Sequence, residues 1–444
     1  MAMAERPTWR SSDRPLARYV AQPLNRFLQV EAAGGVLLLI ATMAALVWAN
    51  SPWSGSYEQL WRTIVSVDAG PLHLSEDLGH WVNDGLMALF FFVVGVEIKQ
   101  ELVSGQLADR RAATLPVIAA LGGMVVPAAL FFVLNVGGAG AHGWGIPMAT
   151  DIAFALGVLM LLGDRAPSSL KVLLLGLAIA DDLGAIAVIA LFYTDEIELR
   201  WLLAAAVGLV VVAVMRRVRV WFLPVYAVIG TAVWACTLQS GIHATIAGVA
   251  LGLLTPARPL LPDIEADRIA RRLSDDEDVT AAEVREMGFH LRESVSVAER
   301  LGTVLHPWTS YVVVPIFALA NAGIPLSGRT LGDAATSRVA MGVVVGLVVG
   351  KLIGISAFAW AAVRLGLARL PDGVSWRQLQ GMAGIAGVGF TVSMFVTGLA
   401  YEGPALQDQA KIGVLVASAL AAVIGSVLLM TAVPSAEDFS PEEV

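Results

Sequence analysis

Apolar runs of roughly 20 residues recur along this chain from residue 31 to residue 432, and a helix needs a run of that length to cross the hydrocarbon core of a bilayer. Lipid offers no partner for a free N–H or C=O, so such runs form helices whose backbone bonds close within the segment. The runs lie near 31–50, 84–104, 112–136, 145–163, 170–193, 201–215, 220–238, 242–254, 305–324, 338–363, 379–401 and 409–432. The expected fold is an all-α polytopic membrane protein with about twelve transmembrane helices. With 57% hydrophobic and only 15% charged residues, the chain has too little polar surface to coat a soluble protein of 444 residues.

Basic residues test the count, because cytoplasmic loops are enriched in lysine and arginine. Loops expected inside carry Lys99, Arg110 and Arg111, then Arg165 and Lys171, then Arg216, Arg217 and Arg219, then Arg364, Arg369 and Arg377. Opposite loops carry only Arg62, Arg200, Arg329, Arg338 and Lys411. This alternation predicts a multi-pass protein of the cell (inner or plasma) membrane, with both termini cytoplasmic and membrane lipid as its surroundings.

Residues 1–28 form a basic cytoplasmic extension with five arginines and no cleavable signal pattern. The membrane domain spans 29–432, and 433–444 is an acidic cytoplasmic tail. Within the domain, 51–76 is external, and "TIVSVDAGPLHL" reads as a small hairpin around a Gly-Pro turn. Residues 257–302 form a charged cytoplasmic loop, part helix and part disordered. Cys236 has no second cysteine with which to form an intrachain disulfide. Zinc-ligand spacings and phosphate-cradling loops are absent, and the scattered arginines leave no nucleic-acid footprint, so neither a cofactor nor a nucleic acid is expected.

Four charges stand out within the apolar runs. "LAIADDLGAIAVIALFYT" sets Asp181 and Asp182 inside the fifth span, "GWGIPMATDIAFALGVL" sets Asp151 beside Thr150 in the fourth, and "VVGKLIGI" sets Lys351 at the middle of the tenth. About twelve residues, some 18 Å of helix, separate Lys351 from either end, so its ammonium must meet an anion or lose its proton. A static lysine–aspartate lock would still leave two carboxylates over, to be protonated, hydrated or bound to a cation. Adjacent helical residues point about 100° apart, so one of Asp181 and Asp182 can hold the lysine while the other faces water. Hard cations such as Na⁺ prefer oxygen ligands, so a proton and a sodium ion compete for the same carboxylates. If the site crosses only when neutralised by one or the other, the two flows are coupled in opposite directions.

Backbone breakers accompany the charges. Pro147 precedes Asp151 in the fourth span, and the eleventh reads "GMAGIAGVGFTVSM", with Gly384, Gly387 and Gly389 close together. These would be the middle helices of spans 3–5 and 10–12, corresponding triplets of an inverted-topology repeat with one interrupted helix in each. Asp151 and Lys351 are available to offset the half-helix dipoles at such breaks.

The blocks "WVNDGLMALFFFVVGVEIKQEL", "GWGIPMATDIAFALGVL", "LAIADDLGAIAVIALFYT", "SGIHATIAGV", "LHPWTSYVVVPIFALANAGI", "VVGKLIGI" and "GVGFTVSMF" resemble, in order, those of the NhaA family of Na⁺/H⁺ antiporters. The resemblance covers residues 27 to 432, and NhaA is itself one of the examples behind the inverted-repeat rule. It implies a twelve-helix fold with a cytoplasmic funnel ending at the acid pair, and electrogenic exchange of Na⁺ or Li⁺ for a larger number of H⁺. By position it makes Asp181 and Asp182 the ion-binding acids, Asp181 the partner of Lys351, and Thr150, Asp151, Gly387 and Gly389 the support of the interrupted helices. It assigns Glu97, His306, His243 and Asp84 to the pH response, although a hydrogen-bonded helix-end role for His243 stays open. It further implies a homodimer paired through the 51–76 hairpin. The chain departs from the best-known members at Gly302 and Thr303, where they carry a glutamate and a histidine, and at Gln100, where they carry a basic residue.

Two rivals use the same residues. An intramembrane aspartyl protease needs two acids, but its G-x-G-D pattern is missing around Asp151. A sodium-coupled organic anion transporter of the same fold would find adjacent carboxylates a poor anion site.

Overall fold

The computed structural model describes residues 33–69, 72–194, 197–218, 220, 223–259, 288 and 292–432, and the architecture is helical apart from one hairpin. The helices are α1 (Ala33–Ala49), α2 (Ser54–Trp61), α3 (Met87–Val103), α4 (Arg110–Asn135), α5 (Ile152–Leu161), α6 (Ser168–Phe192), α7 (Leu199–Arg217), α8 (Leu223–Gln239) and α9 (Thr245–Leu254). They continue with α10 (Val297–Trp308), α11 (Val314–Asn321), α12 (Gly328–Thr336), α13 (Arg338–Val344), α14 (Lys351–Arg364), α15 (Trp376–Ile385), α16 (Phe390–Ala400) and α17 (Pro404–Thr431). Among the described residues, six helices are long and apolar enough to cross a membrane alone, or eight if each bent pair counts as one. Each of the twelve expected runs carries helix, but several are too short or too broken to span as a single rod.

The departures from the sequence reading have local causes. The helix of the ninth expected span, α10, starts at Val297, inside the segment read as loop, because Ser296 caps it by accepting from Glu299 N at 3.1 Å and its first turns are amphipathic rather than apolar. Two short helices, α2 and α12, lie where no span was expected; α2 turns 115° away from α1. The hairpin strands β1 (Ile64–Ala69) and β2 (Leu72–Asp77) pair antiparallel from Ile64↔Asp77 to Ala69↔Leu72. The extension 1–28, the tail 433–444 and most of the charged loop, residues 260–287 and 289–291, lie outside the described residues.

Burial divides the helices into a core and a rim. Every residue from 381 to 397 is buried, whereas α7 buries only Ala205 and Val212 and leaves Leu203, Val207, Val210, Val211 and Val214 exposed, as suits a lipid-facing helix. Small residues set the closest approach. Gly346, Gly350 and Gly354 recur every fourth residue and face α4, and a Cβ on Gly354 would lie 2.1 Å from Gly122 O, while one on Gly350 would lie 2.8 Å from Pro127 Cα. This contact brings the backbones together beside Lys351, whose stem lies against Gly123. Overpacking it costs about 1–3 kcal/mol. Gly354→Leu is therefore expected to lower the thermal unfolding midpoint in detergent, while Gly332→Ala, at a helical site with open space around it, does not lower it.

Candidate functional site

The fourth and eleventh of the expected spans, which hold α5 and the pair α15 and α16, are both interrupted, and their breaks meet. The fourth enters through a tight turn, Ala141–Gly145, and resumes as α helix only at Ile152. The eleventh stops at Ile385, bends by 47° and restarts at Phe390. Across the crossing, Asp151 N donates to Val388 O at 2.7 Å, and Thr150 Oγ1 lies 2.9 Å from Ala386 O. Only glycine fits here: a Cβ on Gly387 would lie 2.3 Å from Leu347 O, and one on Gly389 2.3 Å from Ser393 Oγ.

Asp151 serves two helix starts at once. Its Oδ1 accepts from Phe154 N at 2.9 Å, capping α5, and its Oδ2 accepts from Thr391 N at 3.0 Å and Thr391 Oγ1 at 2.7 Å, capping α16. Both N-termini carry partial positive charge, so this carboxylate is compensated by backbone dipoles without a cationic side chain. Thr391 was not singled out in the sequence; a threonine two residues after Gly389 resembles any helical threonine until its partner across the chain is known.

Lys351 completes the centre from the opposite side. It follows a π-turn, Val345–Gly350, of the kind often found at functional positions. Its Nζ donates to Asp181 Oδ2 at 2.5 Å and to Thr150 Oγ1 at 3.0 Å, and Thr150 Oγ1 lies 2.8 Å from the same carboxylate oxygen. Lys351, Asp181 and Thr150 are all 0% exposed. Asp182, one residue further round α6, points elsewhere and lines a cavity of about 520 Å³ together with Thr150, Asp151 and Thr391. Asp181 Oδ1 and Asp182 Oδ1 are buried and accept no hydrogen bond from any described residue. Buried carboxylate oxygens in that condition are suited to a proton or a small hard cation.

The candidates for pH response separate into two places. Glu97 and His306 line the same cavity with Gln100 and Glu101, and a second π-turn, Thr309–Val313, contributes Thr309, Ser310 and Tyr311 to its wall. Gly302 stands against Gln100, so the departures at these two positions adjoin in space. Asp84 and His243 do not line this cavity. Asp84 lies in a third π-turn, Trp81–Leu86, where its carbonyl accepts from Trp234 Nε1 at 2.8 Å, within electrostatic reach of His243 and His80. His243 Nε2 donates to Tyr193 O at the end of α6, the helix-end bond left open by the sequence.

The ion pair sets an energetic expectation. Removing one member of a buried pair leaves the other charge uncompensated, at a cost of about 3–5 kcal/mol. Lys351→Ala should therefore unfold at markedly lower temperature than the native protein, and adding Asp181→Asn should recover much of that loss. Equal, additive losses in a double-mutant cycle would show that the two side chains are not coupled.

Comparison with known proteins follows the same residues. The family model described as Na⁺/H⁺ antiporter 1 matches residues 25–429. The chain is 46% identical over 434 residues to a Na⁺/H⁺ antiporter NhaA of Rhodopirellula baltica, covering 95% of this chain and 96% of that one. It is 47% identical over 412 residues to Na⁺/H⁺ antiporter NhaA 3 of Frankia alni, covering 92% and 89%. With a Na⁺/H⁺ antiporter NhaA of Proteus mirabilis it shares 44% identity over 414 residues, covering 93% and 97%.

Proposed function

Because the chain belongs to the Na⁺/H⁺ antiporter 1 family, and so is a membrane transporter of Na⁺ and H⁺ rather than an enzyme, we propose that the exchange runs through Asp181 and Asp182. The observation that carries this reading is the pairing of a lysine-bound Asp181 with an adjacent Asp182 that lines the cavity. Sodium arriving through the cavity meets Asp182 first. Recruiting the second carboxylate requires Asp181 to leave Lys351, so cation binding and the ion pair exclude one another. A proton neutralises the same oxygens; with neither ion bound, Asp181 returns to Lys351 and the charge on Asp182 is left uncompensated, so the emptied site stays on the side it opens to until one or the other binds.

The supporting cast has distinct tasks. Asp151 keeps two half-helix N-termini compensated while the breaks move, and Thr150 offers one hydroxyl to Lys351, Asp181 and Ala386 O in turn. Gly387 and Gly389 let the breaks cross at backbone contact. Glu97 and His306 place titratable groups on the ion's path, which supports a pH response there. Li⁺, with the same preference for oxygen, is a second transported ion. A homodimer through the hairpin is supported by a two-stranded sheet whose Val65 and Val67 are exposed. Basic-loop alternation supports the inner membrane with cytoplasmic termini. Neither rival has equal support: the buried lysine is already neutralised by Asp181, which leaves an organic anion no cationic seat, and the acids sit on one helix rather than facing one another.

Proteoliposomes holding a pH gradient test the assignment. Addition of Na⁺ or Li⁺ should collapse the gradient through the native protein, and Asp182→Asn should abolish the response. Wild-type exchange in that variant would remove Asp182 from the ion path.

A further inference from the structure

The glycine-rich run "GGAGAHGWG", residues 137–145, has no part in the exchange reading, yet it leads directly into the break that carries Thr150 and Asp151. His142 is exposed, while every residue from 145 to 150 is buried and none of 141–149 lines the cavity. This stretch thus runs from an exposed histidine to Thr150, which lies against Asp181, without lining the cavity. Two buried phenols hold it. Tyr193, at the end of α6, donates from its hydroxyl to His142 O at 2.8 Å and accepts from Gly145 N at 3.0 Å. Tyr401, at the end of α16, donates to Gly140 O at 2.7 Å.

The glycines make room for these hydroxyls. A Cβ on Gly145 would lie 2.7 Å from the Tyr193 oxygen, and one on Gly143 2.0 Å from the Tyr401 oxygen. One step further in, Ser393 Oγ donates to Ile146 O at 2.8 Å and extends the attachment to the break itself. The helix bearing Asp181 and Asp182 and the half-helix bearing Thr391 are thereby tied, at their far ends, to the loop that feeds Thr150 and Asp151.

We propose that Tyr193 and Tyr401 are positioning residues whose hydroxyls latch residues 140–145 and seal the exchange site on the face opposite the cavity, so that opening toward that face requires both phenols to let go. The proposal rests on the exchange site lying at Asp181 and Asp182. Neither tyrosine touches the ion; each sets how often the site is open to the sealed face.

The test labels a buried position on that side. In a Cys236→Ser background, Thr397→Cys is introduced, about 9 Å along α16 from the cavity-lining Thr391. Thr397 is fully buried. Right-side-out and everted membrane vesicles are treated with an impermeant maleimide. One hydrogen bond lost corresponds to about a 5-fold change in population, so Tyr193→Phe and Tyr401→Phe should each speed labelling from the sealed face by about that factor, and the double variant by more. Labelling from the cavity face should not change. The apparent KM for Na⁺ supplied at the sealed face should fall more than kcat changes, because the competent state is more populated.

Unchanged labelling with unchanged KM in the double variant overturns the latch. Unchanged labelling with lost exchange also overturns it, since the phenols would then serve packing alone. Labelling requires no transport, so the same comparison in an Asp182→Asn background separates failure of the latch from failure of the ion-site reading.

Discussion

An ammonium group with no exposure to solvent needs an anion within reach, and the contact between Lys351 and Asp181 answers that need. Much of the surrounding architecture makes this contact achievable. A lysine in the middle of a long apolar helix reaches a carboxylate on another only if the backbones between them approach closely, hence the Gly346, Gly350 and Gly354 stripe against α4 and the π-turn immediately before the lysine. Because the pair uses one oxygen of one aspartate, the neighbouring Asp182 is free to face the cavity.

The crossed breaks solve a second electrostatic problem with different means. Two half-helix N-termini meet at the crossed breaks, and one carboxylate, Asp151, caps both. Thr150 stands between the two solutions, bonded to the ion pair on one side and to the end of the other broken helix on the other. A movement of either break therefore changes the surroundings of Lys351 and Asp181 directly. Such a centre has two discrete ways to be satisfied, with the lysine on the aspartate or with a cation or proton there, and a carrier needs that property.

The chain's helical class, its approximate spans and its buried charges were legible because lipid makes apolar runs and intramembrane acids unambiguous. Positional resemblance to a family pointed to Asp181 over Asp182 as the lysine's partner; helical spacing alone required only that the two acids diverge. Other features escaped because they depend on partners distant in sequence. Thr391 gains its meaning from Asp151, 240 residues away. The three π-turns leave no mark in a periodic pattern, and the early start of α10 is hidden by polar residues on one face of its first turns. Tyr193 and Tyr401 read as helix-end aromatics until the glycine-rich loop is seen folded over their hydroxyls.

The account depends on sodium and hydrogen ions taking turns on the same buried oxygens. Isothermal titration of Na⁺ into the purified protein, repeated in buffers of different ionisation enthalpy, counts the protons released on binding. Release of H⁺ per bound Na⁺, growing as the pH is lowered toward the range where the carboxylates hold protons, is the predicted result. Sodium binding with no proton release at any pH would contradict it.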